Sequence, residues 1–190
     1  MKVVDFEGTP KENLDAARDS TLTEIQPLQT GEVREITTDT VDAYVCRAFD
    51  HVAVRKIFEM KQRSYTNNLP VFCYNFVQVR SICRVPADLN FQRLTKAFWP
   101  GALTIVLPAI APKTLWLGDG PQDTIAVRIP NDLQILELCR LNGPLAQTSA
   151  NISGIAPEGV ASTIISWDQE TIQMIREGQI SLVSLLSAIS

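Results

Sequence analysis

Short apolar runs of strand length alternate along this chain with segments of helical period, and that alternation restricts it to an α/β architecture. Leu103–Leu107 reads as a continuous, essentially apolar strand, and Thr124–Ile129 as the next. Leu69–Cys73, Val33–Ile36 and Leu145–Gln147 are shorter candidates of the same kind. Between them, Asp50 can cap a helix running to about Lys61, with Val54, Ile57 and Phe58 on one face. Asp88 can cap another, with Leu89, Phe91, Leu94 and Phe98 inward, stopped by Pro100-Gly101. Pro130-Asn131 opens a third, bearing Leu133, Ile135, Leu136 and Leu138 and ended by Gly143-Pro144. Residues 11–19 and the span from Val160 to Glu177 also read as helical, and residues 111–123 as a loop. Strands of apolar character between helices imply a largely covered sheet, either mixed or wholly parallel. With 190 residues and neither a linker nor a repeat, the chain reads as a single domain over 1–190.

Charge and residue chemistry remove several functional classes. Seventeen Lys+Arg against 21 Asp+Glu leave a net charge of −4, which disfavours a protein that coats nucleic acid or an anionic membrane. A local basic cleft for a small anion remains compatible with it. A mean hydropathy of +0.05 without a long apolar run argues against a spanning helix, and Met1–Asp15 has no apolar signal core, so a cytoplasmic protein is expected. Cys46, Cys73, Cys83 and Cys139 are widely spaced and read as reduced, buried small hydrophobes. His51 is the only histidine, so a zinc cluster or a Ser-His-Asp site has no material, and His51 itself reads as a solvated first-turn residue.

Three polar clusters stand where strands and helices end, the usual place for sites in α/β proteins. They are Thr38-Asp39-Thr40, then Lys61-Gln62-Arg63 with Asn67-Asn68, and Thr148-Ser149-Ala150-Asn151. Hydroxyls and amides beside two cations suit a polyanion, Arg as a bidentate fork and Lys as a point charge. Each cluster also has a structural reading: cations complementing a helix C-terminus, turn hydroxyls bonded to nearby backbone, or a cap. Neither a Walker A loop nor G-x-G-x-x-G is present.

Five blocks in order resemble the YrdC-like, threonylcarbamoyl-AMP synthase family. They are Thr37-Thr38-Asp39-Thr40, Lys61-Gln62-Arg63 with Asn67-Asn68-Leu69, and Phe98-Trp99-Pro100-Gly101-Ala102-Leu103-Thr104. Ala126-Val127-Arg128-Ile129-Pro130 and Ser149-Ala150-Asn151-Ile152-Ser153-Gly154 complete the set, which spans roughly Gly31 to Gly154. The resemblance implies an open, twisted, mixed α/β sheet with helices around a deep anion-binding cavity. It implies ATP with Mg²⁺, L-threonine and bicarbonate as substrates, and threonylcarbamoyl-adenylate and pyrophosphate as products. That adenylate serves threonylcarbamoyladenosine modification, with tRNA or the tRNA threonylcarbamoyl-transferase complex as downstream partner. By position, Lys61, Arg63, Asn67, Thr124, Ser149 and Asn151 would hold ATP. Thr40, Arg128 and the Gln147 backbone would hold threonine, and no side chain is assigned as nucleophile or base. A catalytically weakened nucleotide- or RNA-binding relative is the alternative. Asp42 stands where the family has an aromatic residue, and its charge is expected to repel phosphate unless turned away or paired. Phe72 stands where a histidine is common. The family's later D-G-G turn and S-T-[VI]-x-D strand have as expected counterparts only Arg176-Glu177-Gly178-Gln179 and Ser187-Ala188-Ile189.

Overall fold

The structure is a computed structural model, described over residues 25–110, 116–151, 159–168 and 171–190. The helix expected over 11–19 lies outside the described residues, as do residues 111–115 of the expected loop. In chain order, the first half gives β1 (Arg34–Ile36), β2 (Ala43–Arg47), α1 (His51–Lys61), β3 (Val71–Phe72), α2 (Phe76–Ile82) and α3 (Leu89–Phe98). The second half gives β4 (Leu103–Pro108), β5 (Thr124–Arg128), α4 (Leu133–Asn142), β6 (Leu145–Ser149), β7 (Thr163–Asp168), β8 (Thr171–Arg176) and α5 (Leu182–Ile189).

All eight strands form one sheet in the order β1-β2-β6-β3-β5-β4-β7-β8. The sheet is mixed: β3 with β5 and β4 with β7 run parallel, and the other neighbours antiparallel. Strand β6 is inserted between β2 and β3, pairing antiparallel with both.

The helices begin where acceptors for orphan N–H groups stand. Asp50 accepts from Ala53 N at 3.0 Å, Asp88 from Phe91 N at 2.7 Å, and Asp132 from Gln134 N and Ile135 N. Leu89 is the exception to the expected inward face of α3: it directly follows the cap and is 69% exposed, while Phe91 and Leu94 are buried. Phe98 is half-buried.

Several elements differ from expectation. Residues 163–168 and 171–176 form the antiparallel strands β7 and β8 instead of helix, because Thr163, Ile165 and Trp167 turn inward in period-two alternation where β4 offers a ladder edge. Residues 43–47 and 76–82, unassigned in sequence, are β2 and α2, the latter capped by Asn75 accepting from Gln78 N at 3.1 Å. Ser187-Ala188-Ile189 lies in helix α5, so it does not echo a family strand.

The two faces of the sheet are covered unequally. Ala146, Val71, Val127, Ile105 and Ile165 are register partners across five strands, and each is fully buried beneath side chains of α1, α2, α3 and α5. On the other face, α4 covers Val45, Phe72 and Leu145 through Ile135, Leu138 and Cys139. Further across, every second residue is only half-buried: Gln147 and Ser149 on β6, Ala126 on β5, Val106 on β4, Ile164 and Ser166 on β7. That half-open face is where the candidate site lies. Cys46, Cys73, Cys83 and Cys139 are all free and buried, and the cap of α1 leaves His51 exposed in its first turn.

Candidate functional site

Arg128 is the last residue of β5, on the half-open face, and is 2% exposed. A guanidinium so deeply placed must have its donors answered. Its Nε donates to the Gly101 carbonyl at 2.8 Å, Nη1 to Thr40 Oγ1 at 2.9 Å, and Nη2 to Asp39 Oδ1 at 2.6 Å. The ring of Phe72 lies 5.7 Å from the guanidinium carbon. Burial is the largest influence and lowers the Arg128 pKa; the Asp39 charge and hydrogen bond oppose it, and nearby Arg176 adds to the lowering.

The loop that brings Asp39 and Thr40 to Arg128 is ordered by its own hydroxyls. Thr38 Oγ1 donates to the Val41 carbonyl at 2.7 Å and accepts from Thr40 N at 3.0 Å. With that single proton committed, the 3.0 Å contact between the two threonine hydroxyls has Thr40 as donor. Thr40 Oγ1 therefore accepts from Arg128 while giving its proton to Thr38. Asp39 Oδ2 accepts from Asn131 N at 2.9 Å, and the Asp39 carbonyl accepts from Gln179 Nε2 at 3.3 Å. The turn-hydroxyl reading thus holds for Thr38, and Thr40 joins the site.

The second cluster forms at the opposite end of β5. Ser149 ends β6, residues 67–68 lead into β3 and Thr124 begins β5, so all three lie at one end of these strands. Ser149 is half-buried, and Thr124 and Asn67 are exposed. Lys61 closes α1 and is 7% exposed, not a solvated helix-end charge. Burial, then the charge of nearby Arg63, lowers its pKa. Gln62 carries the chain out of the helix through the left-handed region at φ 48°, ψ 36°.

Arg63 anchors the loop that follows. Its Nε donates to the Asn67 carbonyl at 2.9 Å and its Nη2 to the Asn68 carbonyl at 3.2 Å. Asn68 ties this loop to residues 116–122, donating to the Pro121 carbonyl at 2.6 Å and accepting from Gly120 N at 3.0 Å. The approach requires glycine: a Cβ on Gly120 would stand 2.3 Å from the Thr66 carbonyl oxygen.

Of the expected ligand residues, Arg128 and Thr40 are in direct contact. Lys61 and Arg63 are electrostatic neighbours. Gln147 lies between the two ends on the half-open face, and its N–H is committed to the Pro70 carbonyl at 3.0 Å. Asn151 is half-buried just beyond β6; Ile152-Ser153-Gly154 lies outside the described residues. Asp42 is exposed, and its carbonyl accepts from Ala150 N at 2.7 Å.

Sequence reasoning passed over Ser162 and named Arg176 only within the counterpart of the D-G-G turn. Ser162-Thr163-Ile164 opens β7 in the S-T-[VI] pattern, with Ser166 in place of the acid. Ser162 Oγ lies 3.0 Å from buried Thr104 Oγ1. Arg176 donates to the Ser162 carbonyl at 3.2 and 2.7 Å, bringing a second guanidinium toward Arg128. Reading 160–177 as helix had hidden that pattern. Among the described residues no group of three His, Cys, Asp or Glu side chains could hold a metal ion. No helix there is long and apolar enough to cross a membrane.

The model of the Sua5/yciO/yrdC family, described as telomere recombination, matches residues 26–158. A threonylcarbamoyl-AMP synthase of Pyrococcus abyssi (strain GE5 / Orsay) is 37% identical over 131 residues, covering 67% of this chain and 37% of that protein. One of Escherichia coli (strain K12) is 33% identical over 147 residues, covering 76% of this chain and 77% of that protein. The crystal structure of P. abyssi Sua5 complexed with L-threonine superposes with a TM-score of 0.75 at 29% identity, over 84% of this chain and 54% of that one. The chain therefore spans little more than a third of the archaeal relative and about three quarters of the bacterial one.

Proposed function

This chain belongs to the Sua5/yciO/yrdC family, and from that premise we propose that it is a threonylcarbamoyl-AMP synthase. The reaction joins L-threonine, bicarbonate and ATP, with Mg²⁺ entering on the nucleotide. Threonine's amine adds to bicarbonate with loss of water, or to CO₂ with loss of a proton, to give a carbamate. A carbamate oxygen then attacks the α-phosphorus, the bond to the β-phosphate oxygen breaks, and pyrophosphate leaves.

The observation that carries this reading is the Arg128–Thr40 pair, set on the sheet face that is half-open among the described residues and whose far end bears Ser149, Thr124 and the Lys61/Arg63 loop. One end offers a buried guanidinium to a carboxylate. The other offers two neighbouring cations, hydroxyls and amides to a polyphosphate. In this reading Arg128, Thr40 and the main chain at Gln147 hold threonine; Lys61, Arg63, Asn67, Thr124, Ser149 and Asn151 hold ATP. Bringing two anionic reactants together needs charge neutralisation and alignment more than a strong base. Positioning of this kind is worth about 7–11 kcal/mol of barrier in well-oriented cases. The adenylate would pass to the machinery that modifies tRNA.

Pyrophosphate release from ATP tests the reading, with threonine and bicarbonate omitted in turn. Release that needs both supports it. Release indifferent to threonine overturns it.

A further inference from the structure

The carboxylate beside Arg128 has no part in the scheme above, yet it is the shortest contact the guanidinium makes among the described residues. Asp39 is pinned from three directions: Oδ1 by Arg128 Nη2 at 2.6 Å, Oδ2 by Asn131 N at 2.9 Å, and its carbonyl by Gln179 Nε2 at 3.3 Å. Its side chain is 15% exposed and that of Arg128 only 3%. A substrate carboxylate that displaced Asp39 would strip Asn131 N–H of its acceptor and bury a second anion nearby. The cheaper arrangement keeps Asp39 in place and lets the substrate take the guanidinium donors that Asp39, Thr40 and Gly101 leave over.

Charge points the same way. Arg176 disfavours the charged form of Arg128, while the hydrogen-bonded Asp39 carboxylate, with Asp132 nearby, favours it, so Asp39 left in place keeps the guanidinium charged for a substrate carboxylate.

Resting on the synthase reading, we propose that Asp39 is a positioning residue for the amino acid. Its carboxylate fixes the plane of the Arg128 guanidinium and presents the remaining donors to one substrate carboxylate. An amide at position 39 sets its NH₂ against either Arg128 Nη2 or Asn131 N–H, donor against donor, because each carboxylate oxygen faces one of them.

Steady-state pyrophosphate release by the full chain and by D39N is the test. The expected result is a KM for L-threonine raised at least about tenfold, with kcat and the KM for ATP within about twofold of the parent. D39E keeps the charge on a longer arm and is expected to fall between the two. If D39N does not fold, D39E alone decides: a raised threonine KM supports the proposal and an unchanged one overturns it. A threonine KM that is unchanged or lowered in D39N also overturns it, the latter by making Asp39 a competitor for the substrate's place. A parent whose release ignores threonine overturns the synthase reading, and this inference with it. A parent that depends on threonine while D39N keeps its KM overturns this inference alone.

Discussion

Arg128 carries two loads that a single substitution cannot separate. Its donors hold Gly101, Thr40 and Asp39 in place, and the proposed chemistry gives the same guanidinium to threonine. Arg128→Ala leaves the Asp39 carboxylate largely buried without its counter-ion, which costs about 3 kcal/mol or more of folding stability. Urea denaturation is expected to show that loss, and pyrophosphate assays the loss of threonine-dependent release. Asp42 is the contrasting residue. Sequence alone set its charge against the phosphates, but the side chain is exposed, and the contact found there is made by its carbonyl. Asp42→Tyr should therefore change turnover by less than about twofold, a difference near the 0.5 kcal/mol typical of surface substitutions. A larger rise would place the acid within reach of the nucleotide.

At the scale of elements, α1 delivers Lys61 and depends on its cap. Asp50 accepts from Ala53 N at 3.0 Å and also from Gly31 N at 2.6 Å, tying the helix start to the turn that precedes β1. Burial pushes the Asp50 pKa up, but N–H donors from Gly31, Ala53 and Val52 outweigh it and hold the group below its ordinary 3.8. A carboxyl depressed in the folded state stabilises fully above its unfolded pKa and loses that contribution as pH falls through the folded value. Stability is thus expected to drop below about pH 4 in part through this residue. Asp50→Ala should remove about 1 kcal/mol at neutral pH and flatten that acid limb, read from urea melts at successive pH values. The same caps made much of the architecture legible: Asp50, Asp88 and the Pro130-Asn131 turn marked three helices to within a few residues. The β7–β8 hairpin was not legible, because its Ile and Thr residues acquire a strand's alternation only against β4, some sixty residues earlier in the chain. Asp39 was legible as part of a motif but not as an ion pair, since nothing local links position 39 to position 128.

Over the whole molecule, the unequal covering of the sheet keeps the thiols and the site on different terms with solvent. Burial pushes Cys46 and Cys83 up to about 12 and Cys73 and Cys139 well above the ordinary thiol range. Thiolates being the reactive form, the folded protein should resist a thiol-specific chromogenic reagent at pH 8 and yield four equivalents once unfolded. Rapid labelling of even one cysteine in the folded state would contradict the packing around it. The order of the strands carries one more consequence. Because β6 separates β2 from β3, a polypeptide emerging from the ribosome has both flanking strands more than seventy residues before the piece that belongs between them. Those early strands must stay apart, or pair wrongly and release, until residues 145–149 arrive. Ser149 comes with that inserted strand, so a nascent chain can acquire the end of the sheet proposed for the nucleotide only once β6 is in place.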